Sequence, residues 1–358
     1  MVFFSFLLSV CSIPGVIIFC RHFHLYDYAS KRKIHNGDIP RLGSVGFVVS
    51  FCIASILYAH LSVSETFTHI FPLIAAGCII FMFGIVDDII NLPGKVKLLF
   101  QAIAALIIVL SGHQFTEICF IHLPTAAGMF ISFCWIIGII NAFNLIDGID
   151  GLCGGISVLV LGTLGIIFYR SARPTAAVCF ILAAAVCGFL IYNFPPAKIF
   201  MGDGGSQFLG FMIASLPLYK STWNFEYNKF LIIVVLVSIP LLDTIAAMIR
   251  RTYEHRSFFS PDREHLHHKL LNIGFSRVQV LFGILLNQIV LCLSAGLSMY
   301  LKGWKGAVML TISLAFMILL FSLVHYANTA VNRIHMNSNI QPEYRPDRIS
   351  HYITASEI

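Results

Sequence analysis

The chain has 358 residues, with 23 Lys and Arg against 17 Asp and Glu, a formal net charge of +6. Hydrophobic residues make up 58% and charged residues 11%, where a soluble domain carries roughly 25% charge. So much apolar surface cannot be hidden from water in a chain of this size. A soluble enzyme, a disordered chain and a secreted disulfide scaffold are excluded, and the composition reads as a multi-spanning membrane protein.

The first apolar run, 2–20, has no basic region before it and basic residues after it, so it is expected to be a retained helix rather than a cleaved signal. Further runs fall at 43–60, 68–86, 98–111, 125–143, 151–169, 175–194, 206–219, 230–249, 278–300 and 304–324, eleven in all. Each approaches the roughly 20 residues a span requires. Nine of the ten cysteines lie inside these runs, where a thiol behaves as a small hydrophobe, and no zinc-type Cys/His spacing occurs. The expected fold is an all-α membrane protein, a multi-pass bundle of about eleven transmembrane helices. It forms one domain over 1–324, followed by a cytoplasmic tail at 325–358.

Eleven spans place the termini on opposite sides. Sorted by alternate loops, 17 of the 23 Lys and Arg fall on one side. The positive-inside rule puts that side in the cytoplasm and the N-terminus outside. The loops that carry polar motifs all fall on the cytoplasmic side.

In chain order, the first of these loops reads Lys31-Arg32-Lys33-Ile34-His35, then Pro40-Arg41-Leu42-Gly43. It serves equally well as a phosphate contact, with Lys33 and His35 the candidates, or as an orientation signal. Between spans three and four, Asp87-Asp88 precedes Pro93-Gly94-Lys95-Val96-Lys97. Adjacent carboxylates at a membrane edge repel, and Mg²⁺ or a neighbouring Lys relieves that repulsion. Helix capping by Asp88 needs only one Asp.

Between spans five and six lies Asn141-Ala142-Phe143-Asn144-Leu145-Ile146-Asp147-Gly148-Ile149-Asp150-Gly151. Asn141 and Asn144 stand one helical turn apart, and Asp147 and Asp150 repeat the spacing. These oxygen donors suit a hard cation or the polar groups of a nucleotide. Between spans seven and eight, Met201-Gly202-Asp203-Gly204-Gly205-Ser206 opens directly into a helix. Its backbone N–H groups are expected to hold a phosphate, with capping by Asp203 the plainer reading.

Asp243, after Pro240 in span nine, is expected to give structural support by pairing with Arg250 or Arg251. The longest loop contains Ser260-Pro261-Asp262-Arg263-Glu264-His265-Leu266-His267-His268-Lys269. Without the i, i+4 histidines of a helical zinc site, the cluster reads as donors to an anionic oxygen group, or as a basic loop against lipid headgroups.

Taken in order over roughly 30–275, these motifs resemble the polyprenyl-phosphate N-acetylhexosamine-1-phosphate transferase family, in particular its bacterial WecA type. Two departures are visible. Leu42-Gly43-Ser44 stands where the family usually has paired glycines after the first-loop proline, and MGDGGS stands for the usual MGDAGS. The resemblance implies transfer of N-acetylglucosamine 1-phosphate from a UDP-sugar donor to undecaprenyl phosphate at the cytoplasmic face of the bacterial inner membrane. This would open a cell-surface polysaccharide of O antigen, enterobacterial common antigen or teichoic acid type.

By the same resemblance, Asp203 and Asn144 ligate Mg²⁺, with Mn²⁺ as the substitute, and Asp87 and Asp88 act on the lipid phosphate. Asn141, Asp147 and Asp150 shape the nucleotide pocket. Arg263, His265, His267 and His268 hold the sugar diphosphate, and Lys97 holds a phosphate. Membrane lipid is a partner, nucleic acid is not, and the architecture is compatible with a homodimer. The alternatives are the same reaction with another UDP-N-acetylaminosugar or UDP-MurNAc-pentapeptide, and, from a different class, an ion-coupled transporter. A transporter would place its carboxylates at mid-bilayer rather than at span ends.

Overall fold

A computed structural model describes residues 1–27, 39–62, 65–119, 121–169, 171–219, 229–255, 264–301 and 303–337. The predicted runs all coincide with helices. They are α1 Val2–His22, α2 Gly43–Leu61, α3 Glu65–Ile90, α4 Gly94–Leu110, α5 Thr125–Ile146, α6 Leu152–Phe168, α7 Arg173–Asn193 and α8 Gly202–Ser215. The ninth run is two helices, α9 Lys229–Leu236 and α10 Ser238–Tyr253, which meet at 75°. A short α11, Leu266–Ile273, precedes α12 Arg277–Leu301 and α13 Gly303–Asn337. The described strands are two-residue pairs, Tyr26–Asp27 with Ile39–Pro40 and Glu117–Ile118 with Ile121–His122, both antiparallel.

Among the described residues, seven single helices are long and apolar enough to cross a bilayer, and the bent pair would make an eighth. The α4 and α6 helices have 17 residues each and α8 has 14. At about 1.5 Å per residue these fall short of a hydrocarbon core of about 30 Å. The reason is clearest for α8, in which every residue from Gly204 to Ser215 is buried. A helix that is apolar all round and enclosed by protein need not match the lipid thickness.

The α8 helix packs between α3 and α5, and α4 lies against the same two helices. Close approach of α3 to α8 depends on Gly84 and Gly204, since a Cβ on Gly84 would collide with the Gly204 Cα. Small residues at such crossings let backbones touch where the surrounding lipid supplies no hydrophobic drive. On the periphery, Phe130, Ile166, Leu293 and Ile312 are more than 60% exposed, as expected of side chains facing hydrocarbon rather than water.

The tail boundary drawn at 324 falls inside α13, which runs on to Asn337. That extension is held by polar contacts to α11. Asn272 Nδ2 donates to Asn328 Oδ1 and Asn332 Oδ1, both at 2.8 Å, and Lys269 Nζ lies 3.2 Å from His325 Nδ1. Residues spaced by three or four along α13 thus present one face to α11. Hydropathy falls where those asparagines begin, which is why sequence ended the span there.

Candidate active site

The two carboxylates that end α3 are both buried, and each has a different task. Asp87 Oδ1 accepts from the Leu92 N–H at 2.7 Å, and its Oδ2 pairs with Lys97 Nζ. Asn91 makes the turn between them with φ of 52°, a left-handed conformation that Asn tolerates better than most residues. Lys97, in the first turn of α4, also reaches Asp203 Oδ2 at 2.9 Å across 106 residues of sequence. One ammonium therefore lies between two carboxylates from different helices.

Asp88 accepts from the N–H of Asp203 at 2.8 Å through Oδ1, and from the N–H of Gly204 at 3.1 Å through Oδ2. The N-cap of α8 thus comes from α3, not from α8 itself. This corrects the expectation that these amides hold a phosphate or that Asp203 caps its own helix: the first two are already taken. A charged acceptor at a helix N-terminus is favoured by the dipole as well as by the hydrogen bonds. Gly202 is required here, with φ of +79° and with the Asp88 carboxylate and the Arg41 carbonyl where a Cβ would lie. The Arg41 guanidinium stands 3.8 Å from Asp88 Oδ1, so the first loop does supply a cation to the site.

The α5 end supplies the remaining oxygen donors. Asn144 lies in hydrogen-bond contact with Asp203 and donates through Nδ2 to Ser206 Oγ at 3.1 Å. Asn141 donates to Gln101 Oε1 and to the Ile137 carbonyl, each at 2.8 Å, and Gln101 in turn donates to Gln207 Oε1 at 3.1 Å. This buried amide ladder ties α4, α5 and α8 together. Sequence reasoning missed Gln101 and Gln207, and the signal was a glutamine inside each of two apolar runs.

Asp150 accepts from the Ala197 N–H at 3.1 Å. Asn193, also missed, accepts from Gly151 N–H at 3.0 Å and donates to the Ile199 carbonyl at 2.9 Å. Both side chains fix the 147–151 turn against the segment that leads into α8. Asp147 carries no hydrogen bond among the described residues. Burial, with the charges of Asp203, Asp88 and Asp150, pushes its carboxyl up to about 8.

The histidine segment closes onto the same turn. A Cβ on Gly148 would collide with His267 Nε2 and come within 2.6 Å of Cε1, so the absent side chain makes room for the imidazole. His267 is 1% exposed and neither ring nitrogen has a partner among the described residues. Burial, then the neighbouring His268 and His265, holds its pKa well below the ordinary value. His268 packs beside it with ring centroids 4.3 Å apart. Asp243 is not paired with Arg250 or Arg251 as expected; its two oxygens take His265 Nδ1 at 2.9 Å and the Leu266 N–H at 2.8 Å. Arg250 lies instead 3.6 Å from Glu264, because the bend after α9 turns α10 so that Asp243 faces α11. Arg263, Lys33 and His35 lie outside the described residues.

The site thus brings together Asp87, Asp88, Asp147, Asp203 and Asn144, with Lys97 and Arg41 as cations. No group of three His, Cys, Asp or Glu able to enclose a metal occurs among the described residues. A donor set of that kind suits Mg²⁺, which keeps several waters and binds through one or two carboxylates and substrate phosphates. It does not suit a closed zinc site.

A model of glycosyl transferase family 4 matches residues 70–221, the stretch from α3 to the end of α8 that holds the carboxylate cluster. The chain is 34% identical over 306 residues to a probable undecaprenyl-phosphate N-acetylglucosaminyl 1-phosphate transferase of Bacillus subtilis (strain 168), covering 81% of this chain and 82% of that one. It is 32% identical over 269 residues to an undecaprenyl-phosphate alpha-N-acetylglucosaminyl 1-phosphate transferase of Yersinia pestis, covering 71% and 72%. It is likewise 32% identical over 293 residues to a decaprenyl-phosphate N-acetylglucosaminephosphotransferase of Mycobacterium tuberculosis (strain ATCC 25618 / H37Rv), covering 72% of each.

Proposed function

The chain belongs to glycosyl transferase family 4, and from that premise we propose that it transfers N-acetylglucosamine 1-phosphate from UDP-N-acetylglucosamine to undecaprenyl phosphate, releasing UMP. It is a multi-pass membrane protein and a sugar-phosphate transferase. The observation that carries the reading is the meeting of the carboxylate cluster with the histidine segment at Gly148 and His267. Two anionic reactants must come together in such a reaction, which calls for positioning and charge neutralisation more than for covalent machinery.

In this reading Asp203 and Asn144 hold Mg²⁺, with Mn²⁺ as substitute, and Asp147, pushed up by burial and its acidic neighbours, would ionise more readily beside a divalent cation. When bound, the metal neutralises charge on the phosphates. Lys97 and Arg41 hold the acceptor phosphate, and Asp87 and Asp88 orient it. His265, His267 and His268, with Arg263, bind the sugar diphosphate, while Asn141, Asp147 and Asp150 border the uridine. The site faces the cytoplasm of a bacterial inner membrane, where nucleotide sugars are made, and the product starts a cell-surface polysaccharide.

The test supplies purified protein with undecaprenyl phosphate, Mg²⁺ and a panel of radiolabelled UDP-sugars. Lipid-linked product and UMP are expected with UDP-N-acetylglucosamine, and their loss on chelation supports the metal. No lipid-linked product with any donor would overturn the transferase reading. Asp203→Asn is expected to abolish Mg²⁺-dependent turnover in a protein that still folds.

A further inference from the structure

The Asp243 carboxylate lies outside the cluster assigned to metal and phosphate, yet it is 4% exposed and spends both oxygens on α11. One oxygen accepts from the Leu266 amide and so starts that helix. The other is 2.9 Å from His265 Nδ1, and His265 is itself only 5% exposed. A carboxylate is acceptor-only, so the proton of a neutral His265 must sit on Nδ1, leaving Nε2 as the ring's free nitrogen. The α10 helix can reach α11 because the chain bends by 75° between α9 and α10. Along α10, Asp243 and Arg251 are buried while Ile245, Met248 and Ile249 are at least 40% exposed, so the polar face is turned inward and the apolar face outward.

We propose that Asp243 is a positioning residue of the transferase: it fixes the tautomer of His265 and, through the Leu266 amide, the direction in which the His265–His268 segment approaches Gly148. This rests on the function proposed above for the histidine segment. It goes beyond helix support because a structural role needs only an acceptor for Leu266, whereas the tautomer requires a carboxylate facing Nδ1. An amide at position 243 can still accept from Leu266 through its oxygen. Its NH₂ then faces Nδ1 and reverses the proton arrangement on the ring.

The test is Asp243→Asn measured alone and in a His265→Gln background, with steady-state kinetics at saturating lipid acceptor. Alone, the substitution is expected to lower kcat/KM for UDP-N-acetylglucosamine by about 10- to 100-fold, the usual cost of losing an orienting partner. In the His265→Gln background it should cost less than about 3-fold, because the two residues act as a unit. Unchanged kcat/KM for Asp243→Asn, or an undiminished loss in the His265→Gln background, would overturn the assignment. Selective ¹⁵N labelling of histidine in the wild type gives a readout independent of turnover. The His265 signals should report a proton on Nδ1, and a neutral ring protonated on Nε2 would overturn the proposal even if Asp243→Asn fails to fold. Wild-type protein that makes no lipid product fails the functional reading instead, while the ¹⁵N result still decides the role of Asp243.

Discussion

Asp88 closes the start of α8 at Asp203, a residue 115 positions further along the chain, with its Oδ1 2.8 Å from the Asp203 amide nitrogen. Two acidic residues that charge alone would drive apart are thereby held at one helix end. The backbone of one binds the side chain of the other, and Lys97 lies across Asp87 and the Asp203 side chain. The position of each carboxylate is set by a group on another helix, so the cluster forms only when α3, α4 and α8 pack.

Asp88→Ala removes both acceptors and leaves two N–H groups at the α8 terminus without their partner, and the buried one on Gly204 costs about 1–3 kcal/mol. Asp88→Asn keeps one oxygen and should cost clearly less. Thermal unfolding in detergent should rank the proteins as wild type, Asn, then Ala. An Ala variant as stable as the Asn variant would argue against the cap.

Lys97→Met takes away the cation shared by Asp87 and Asp203. Turnover should fall by about 100-fold or more, as when a group that neutralises transferring phosphates is lost. Mg²⁺ binding should meanwhile tighten, because two carboxylates lose their internal partner. Titration calorimetry with Mg²⁺ alone separates the two effects. Unchanged Mg²⁺ affinity would show that Lys97 and the metal do not share these oxygens.

Gly148→Ala introduces a Cβ into the His267 ring. The imidazole must move, so donor KM should rise by about 10-fold or more. Gly148→Ala combined with His267→Ala should lose the steric part of the defect. Wild-type kinetics for Gly148→Ala would mean that the contact has no bearing on donor binding.

His267 is held neutral by burial, with His268 and His265 adding to the effect. An unfolded chain takes up a proton on this ring as pH falls through the ordinary 6.5, while the folded chain does not. Its contribution to stability is therefore intact above that value. Below it, stability is lost by up to about 1.4 kcal/mol per pH unit until the folded ring also protonates. His267→Asn should flatten the fall in Tm between about pH 7 and pH 5. Parallel curves for the two proteins would count against a buried neutral ring.

Sequence alone determined the membrane class and the order of the spans, because a run of apolar residues near bilayer length carries its own reason for being helical. It also picked out Asp87, Asp88, Asn144, Asp147 and Asp203, since ionisable and amide groups at the ends of such runs are functional candidates by default in a membrane protein. The bend in the ninth run was not legible there: 230–249 reads as one apolar span, whereas the chain breaks at Val237 between α9 and α10.

Only the tertiary structure decided what each of these residues binds. That Asp88 caps a helix it does not belong to, that Lys97 serves two carboxylates, and that Asp243 holds His265 rather than Arg250 are relations between helices distant in sequence. The same holds for α8, whose shortness makes sense once it is seen enclosed by α3 and α5, with α2 and α6 beside them. Transfer from water to lipid is a property of each segment's own composition. Hydrogen bonds and ion pairs act over about 3 Å, so they exist only where packing has already set the neighbours.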